Sequence, residues 1–248
     1  MDYYRIALYI LFGILPSLAW LFYYLKKDLH PEPKKMILKV FIYGALATIP
    51  VLLIQVGLAG LLTKLQYAEF FKDFPIVVDI LKWFIVIALT EELLKYAVVK
   101  FTVLKNKELD EPLDVMLYMV VVALGFSALE NILYLFSPAG NMSFNAIITT
   151  TIAISLIRFI GATFLHTLCS ALLGYFLALS FLKTHQRLLL TIIGMSLAVL
   201  LHGLYDFSIM TLDPPINFII PVMIVVGLAI FMIYDFDEIK KIKSICKI

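Results

Sequence analysis

Charge is what this sequence has least of. Only 15% of its 248 residues are Asp, Glu, Lys or Arg, while 62% are hydrophobic. A soluble domain carries about 25% charged residues, so a water-solvated globule is excluded and lipid becomes the solvent to reason with. The net charge of +2 and the lack of a basic patch interleaved with aromatics exclude a nucleic-acid partner. Cysteine is nearly absent: Cys169 sits in an apolar run and Cys246 in a lysine-rich tail, which gives neither a disulfide framework nor a CxxC metal site. There is no HExxH, and no GxS motif precedes Ser170. The first apolar run lacks a basic region ahead of it and a small-residue cleavage site behind it, so it reads as a retained helix. No internal repeat or low-complexity tract interrupts the chain.

What is present is long apolar runs. A helix needs about 20 apolar residues to cross a hydrocarbon layer of roughly 30 Å. Seven runs meet that need, near Arg5 to Leu25, Met36 to Leu62, Pro75 to Leu104, Asp114 to Phe136, Arg158 to Leu182, Leu188 to Met210 and Asn217 to Tyr234. The alternation of short transmembrane strands is missing. The expected fold is therefore all-α, a polytopic transmembrane bundle of about seven spans, with residues 1–248 forming one domain. DLHPEP (Asp28 to Pro33) and SPAGN (Ser137 to Asn141) read as turns. Ala146 to Leu182 would be about 55 Å long as one helix, too long for a single crossing. A short interfacial or re-entrant helix near Ala146 to Ile157 before a true span is the preferred reading, with a single tilted helix as the alternative.

With the N-terminus outside, fourteen lysines and arginines fall in inner segments and four (Arg5, Lys64, Lys72 and Lys82) in outer ones. Positive charge favours the cytoplasmic side, so the expected topology is N-terminus outside and C-terminus cytoplasmic.

Ionisable residues inside spans cost about 2.5–3.5 kcal/mol each on insertion scales and are functional candidates by default. The third run holds Glu91, Glu92 and Lys95, and the fourth holds Phe126, Glu130 and Asn131. Arg158 precedes His166 and Ser170 in the fifth, and the sixth holds His202 and Asp206. At about 1.5 Å per residue, Glu91 lies roughly 21 Å above Lys105, Glu130 about 24 Å above Asp114, His166 about 26 Å from Lys183 and His202 about 22 Å from Arg187. Four helices thus bring acid or imidazole to one level in the outer half of the membrane. Spacing of four puts Glu91 with Lys95, Phe126 with Glu130, His166 with Ser170 and His202 with Asp206 on shared faces. Four carboxylates against Lys95 and Arg158 leave the cluster at −2 with neutral histidines. A dry site does not tolerate that imbalance, so proton sharing, histidine protonation, water entry or a bound cation is required.

Taken singly, several of these residues have plain explanations. Asn131 suits helix–helix glue, Ser170 suits a bond to its own preceding backbone carbonyl, and Arg158 suits snorkelling to the outer headgroups. Cys169 suits the core, and Tyr205 suits packing or lipid contact. The conjunction of three glutamates and two histidines at one depth is what resists a purely structural account.

The motifs EExxK (Glu91, Glu92, Lys95), FxxxEN (Phe126, Glu130, Asn131), HxxxS (His166, Ser170) and HxxxD (His202, Asp206), together with DLHPEP, resemble the PrsW family of membrane proteases. That family is grouped with the CAAX prenyl proteases and bacteriocin-processing enzymes as glutamate-type peptidases. All four motifs occur in order over nearly the whole chain. The prenyl-protease branch carries histidine where Glu130 stands, which places the chain on the PrsW side and argues against a prenylated substrate. The resemblance implies cleavage of a membrane-anchored regulatory protein of the anti-sigma-factor type, on the extracytoplasmic face of a prokaryotic plasma membrane. The partners it implies are a single-span substrate and the lipid bilayer, and no oligomeric state follows from it.

The expected mechanism has Glu91, or secondarily Glu92, as the base that deprotonates water. His166 and His202 stabilise the oxyanion or protonate the leaving amine, a type of contribution worth about 2.7–4 kcal/mol. Asp206 orients His202, indirectly at this spacing. Glu130 and Asn131 hold water or substrate backbone, and Lys95 sets the charge of the glutamate pair. No cofactor is expected. A metalloprotease stays open as an alternative because glutamate and histidine are metal ligands. A Ser170–His166 nucleophile and a non-catalytic scaffold are less consistent with the residues, and a proton- or cation-coupled transporter is the rival from another class.

Overall fold

The computed structural model describes residues 3–26, 31–67, 71, 73–104, 106, 109, 111–136 and 143–240, with side chains to residue 234. Among these the chain is helical, with no strand. The turns expected at Asp28 to His30 and at SPAGN, and also Cys246, lie outside the described residues.

The helices are α1 (Tyr3–Leu25), α2 (Lys34–Gln66), α3 (Pro75–Ile80), a π-helical segment (Leu81–Leu89), α4 (Thr90–Thr102), α5 (Pro112–Phe136), α6 (Phe144–Ile160), α7 (Ala162–Leu182), α8 (Arg187–Thr211) and α9 (Ile216–Lys240). Proline starts several of them where its missing N–H costs nothing: Pro33 precedes α2, Pro75 opens α3 and Pro112 opens α5. Six stretches among the described residues are long and apolar enough to cross a membrane. The seventh expected run is present as α3, the π segment and α4 in direct succession, pieces of 6, 9 and 13 residues. Its apolar stretch is broken by Lys82, Glu91, Glu92 and Lys95, which is why it falls outside the six.

The helix α5 is the axis of the bundle. Every residue from Pro112 to Ala128 is buried, and α1, α2, α4, α6, α7 and α9 pack around it. The near-continuous apolar sequence of Pro112–Ala128 follows from having no outward-facing side; beyond it, Leu133 and Tyr134 are exposed. The crossing of α5 with α2 is so close that a Cβ on Gly125 would collide with the carbonyl oxygen of Phe41. Small residues at membrane helix crossings permit this approach. Gly125→Leu is expected to force the two helices apart and cost about 1–3 kcal/mol, read as a lower unfolding midpoint in detergent.

The long stretch before Leu182 is broken, as the two-helix reading required, but at Gly161 and not near Ile157. Gly161 has φ −89 and ψ −96, and an added Cβ there would lie 2.6 Å from the Tyr205 hydroxyl. The break leaves carbonyls at the end of α6 without helical partners. Trp20 of α1 donates from Nε1 to one of them, Phe159 O, at 3.0 Å. The same indole stacks on Phe159 and on Phe164, with centroids 5.3 and 4.2 Å away, so both sides of the break are clamped.

Candidate active site

Four helices deliver the ionisable groups to one place. Glu91, Glu92 and Lys95 lie on the first turns of α4, just past the π segment. Phe126, Glu130 and Asn131 lie on α5, His166 and Ser170 on α7, and His202 and Asp206 on α8. Between them is a cavity of about 420 Å³ whose lining includes Glu91, Glu130, His166, His202 and Asp206, with Arg158 from α6 and Gln55 from α2. Trp83 and Ile87 of the π segment line it too, in step with Glu91 at intervals of four residues. A π segment beside a functional group is a recurrent arrangement.

Behind this wall sits a second group that does not face the cavity. The carboxylate of Glu92 is fully buried. Its Oε1 accepts from Lys95 Nζ at 2.8 Å and from His202 Nδ1 at 3.0 Å. Its Oε2 accepts from Ser170 Oγ at 3.1 Å. Ser170 is therefore not spent on its own helix backbone, as its sequence context suggested; burial of Glu92 makes the carboxylate the stronger acceptor. Lys95, also fully buried, donates to His166 Nδ1 at 2.8 Å and lies 3.6 Å from Glu91 Oε2. Its ammonium is held over the Phe126 ring, 4.5 Å from the centroid.

These bonds settle the His166 tautomer. An ammonium only donates, so Nδ1 accepts and Nε2 carries the proton, which it donates to Glu130 Oε2 at 3.0 Å. Glu130 Oε2 also accepts from Arg158 NH2 at 2.7 Å. Arg158 is thus a buried partner of the site and not a snorkelling cation; its planar guanidinium reaches Glu130 and, through Nε, Asn131 Oδ1. Asn131 corrects another expectation. Its amide donates to Gly13 O at 3.2 Å and to Thr163 Oγ1 at 3.0 Å, and it is absent from the cavity wall. It ties α5 to α1 and α7 and has no group left for water or substrate. Asp206 meets His202 directly, Oδ2 to Nε2 at 3.3 Å.

One atom stands apart. Glu91 Oε2 is buried and accepts no hydrogen bond. It lies 3.6 Å from Lys95 Nζ, 3.7 Å from His166 Nδ1 and 3.9 Å from His202 Nε2. The other oxygen, Oε1, accepts from Gln55 Nε2 of α2 at 3.2 Å. Gln55 was not read as a site residue from sequence, and Arg158 was counted in the cluster's charge but given no role in the mechanism. Gln55 left a signal nonetheless, as a lone amide inside the apolar run of α2.

Glu91, His166 and His202 each offer a ligand atom, all within 4.8 Å of one another. Two histidines and a glutamate are a donor set of zinc hydrolases. The partnerless Glu91 oxygen and the −2 balance both suit a divalent cation. His166 would join such a site only by giving up Lys95 at Nδ1 or Glu130 at Nε2. The residues fit a metal, so the expectation of a metal-free site faces a donor set able to hold one.

A helical membrane bundle with a buried acid–imidazole cavity defines a membrane-embedded hydrolase class. A family model described as PrsW family intramembrane metalloprotease matches residues 32–234. The chain belongs to this family of intramembrane proteases. Among its relatives, Protease PrsW of Oceanobacillus iheyensis is 31% identical over 195 residues, covering 79% of this chain and 80% of that protein. Protease PrsW of Geobacillus kaustophilus is 32% identical over 199 residues, 80% and 78% of the two chains. Protease PrsW of Bacillus subtilis is 28% identical over 214 residues, 86% and 87%. No solved structure matches the chain. Proteolysis thereby takes precedence over the transport and scaffold alternatives.

Proposed function

We propose that this chain is an endopeptidase that cuts a single-span, membrane-anchored regulatory protein of the anti-sigma-factor type near the outer leaflet of a prokaryotic plasma membrane. The observation carrying the chemistry is that Glu91 lines the cavity while its Oε2, set between two imidazoles, accepts no hydrogen bond. The lysine and arginine asymmetry supports an N-terminus outside, and the depth of the glutamates and histidines supports an outer-leaflet cut.

In this reading a water bound at Glu91 Oε2 gives a proton to that oxygen as its own oxygen bonds to the scissile carbonyl carbon. The carbonyl oxygen takes up the negative charge, and the Nε2–H groups of His202 and His166 stabilise it by turning from their resting acceptors, Asp206 and Glu130. The proton held on Glu91 passes to the amide nitrogen as the C–N bond breaks, which regenerates the carboxylate. Asp206 holds His202 and the Arg158–Glu130 pair holds His166. Glu92 and Lys95 form the rigid charged floor beneath them.

The Glu91–His166–His202 donor set favours a second reading, in which those three residues hold a divalent cation. Such an ion would polarise the carbonyl and lower the pKa of bound water. Purified protein in liposomes with single-span substrates, its products read by mass, tests the proposal. Cleavage near the outer end of the span is expected, and cuts confined to the cytoplasmic flank would overturn the topology. Under the first reading, activity survives exhaustive chelation with no stoichiometric metal retained. Loss on chelation, restored by zinc, would establish the second.

A further inference from the structure

We infer that Gln55 is a positioning residue for hydrolysis: it holds Glu91 in an orientation that leaves Oε2 without a hydrogen bond, between the His166 and His202 imidazoles. This rests on the reading of Glu91 as the base. Gln55 lies on α2, a helix that contributes none of the acids or imidazoles, and its side chain lines the cavity. Its Nε2 donates to Glu91 Oε1 at 3.2 Å and to Thr90 Oγ1 at 3.4 Å. A carboxylate only accepts, so the amide nitrogen is the atom facing it.

The two acceptors are adjacent residues at the junction of the π segment and α4. The Thr90 hydroxyl donates backward to Val86 O at 2.6 Å and Ile87 O at 3.0 Å. Its lone pairs are thereby left for Gln55, and its rotamer is fixed by the helix it terminates. Gln55 thus reads a rigid backbone junction with one contact and the base with the other. Without it, no hydrogen bond from the described residues holds Glu91 Oε1, and Lys95, His166 and His202 all lie 3.6 Å or more from Oε2. The carboxylate could then turn toward Lys95 and close an ion pair, withdrawing the oxygen that water must reach. An amide is costly in an apolar span and persists where it has partners to satisfy.

Gln55→Met keeps length and removes the donor. In liposomes its kcat is expected to fall about 10- to 100-fold, the range of a hydrogen bond to a charged group. KM should stay within about twofold of wild type. In a Glu91→Asp background, where the shortened carboxylate no longer reaches Gln55, the same substitution should add less than about twofold, measured over long single-turnover incubations. If Gln55→Met does not fold, Gln55→Asn, which withdraws the amide by one methylene, is expected to show the same kcat loss. Wild-type kcat in Gln55→Met, with Glu91→Gln inactive, would overturn this inference alone. A raised KM with kcat intact, or an undiminished effect in the Glu91→Asp background, would also overturn it, because Gln55 would then be touching substrate. Activity retained in Glu91→Gln would overturn the base reading itself.

Discussion

Glu91→Gln is expected to lower peptide cleavage by about 10²–10⁴-fold, the contribution of a positioned general base, while leaving the unfolding midpoint near wild type. The stability half of this expectation follows from the local bonds. Glu91 gives up only one hydrogen bond, to Gln55, and an amide oxygen accepts that bond equally well. Its ion pair with Lys95 is the longer one, at 3.6 Å against 2.8 Å for Glu92. Removing the Glu91 charge therefore leaves Lys95 paired. The activity half follows from the proposed role of Oε2 as proton acceptor, which an amide cannot fill. Product formation from a purified single-span substrate, compared at matched protein, measures both arms alongside a thermal scan. Glu92→Gln should show the reverse bias, because its carboxylate anchors Lys95, His202 and Ser170 without facing the cavity.

Lys95→Met is expected to be among the most destabilising single changes in the chain, costing about 3–5 kcal/mol, the usual penalty for breaking one side of a buried ion pair. The ammonium is fully buried and meets three site residues at once, Glu91, Glu92 and His166. Its loss strands the Glu92 carboxylate at the centre of the bundle and leaves His166 Nδ1 without a donor, which frees the imidazole to change tautomer. The check is the unfolding midpoint in detergent for Lys95→Met, Glu92→Gln and the double variant. Removing both partners of a buried pair is less costly than removing one, so the double variant should recover part of the loss. A Lys95→Met protein as stable as wild type would mean that the charged floor carries no structural weight.

How much of this was legible in the sequence depends on the kind of signal. The spans were readable because length and hydropathy are set by the bilayer and hardly depend on neighbours. The convergence of Glu91, Glu130, His166 and His202 was readable because a fixed rise per residue converts sequence distance into depth. Partner choice was not readable. Ser170 offered two plausible acceptors, its own backbone or a distant carboxylate, and only the position of α4 against α7 decides for Glu92. Asn131 and Arg158 exchange roles relative to expectation for a similar reason. The break at Gly161 turns Arg158 inward, where it meets Asn131, and the amide is used up in holding helices together. Gln55 was passed over because a single amide carries no periodicity. The π segment was invisible because its hydrogen-bond register leaves no compositional mark on Leu81–Leu89, which apart from Lys82 is apolar.

The isolation of α5 from lipid has a further consequence. Membranes of different hydrocarbon thickness are accommodated by tilting the helices that touch them, and α1, α2, α6, α8 and α9 present exposed apolar faces here. Glu130, by contrast, rides on a rod sheathed by other helices along most of its length. Geometry at the catalytic centre should accordingly be buffered against host lipid composition, so that reconstitution into short- or long-chain phosphatidylcholine alters how substrates reach the cavity more than what happens once they are inside.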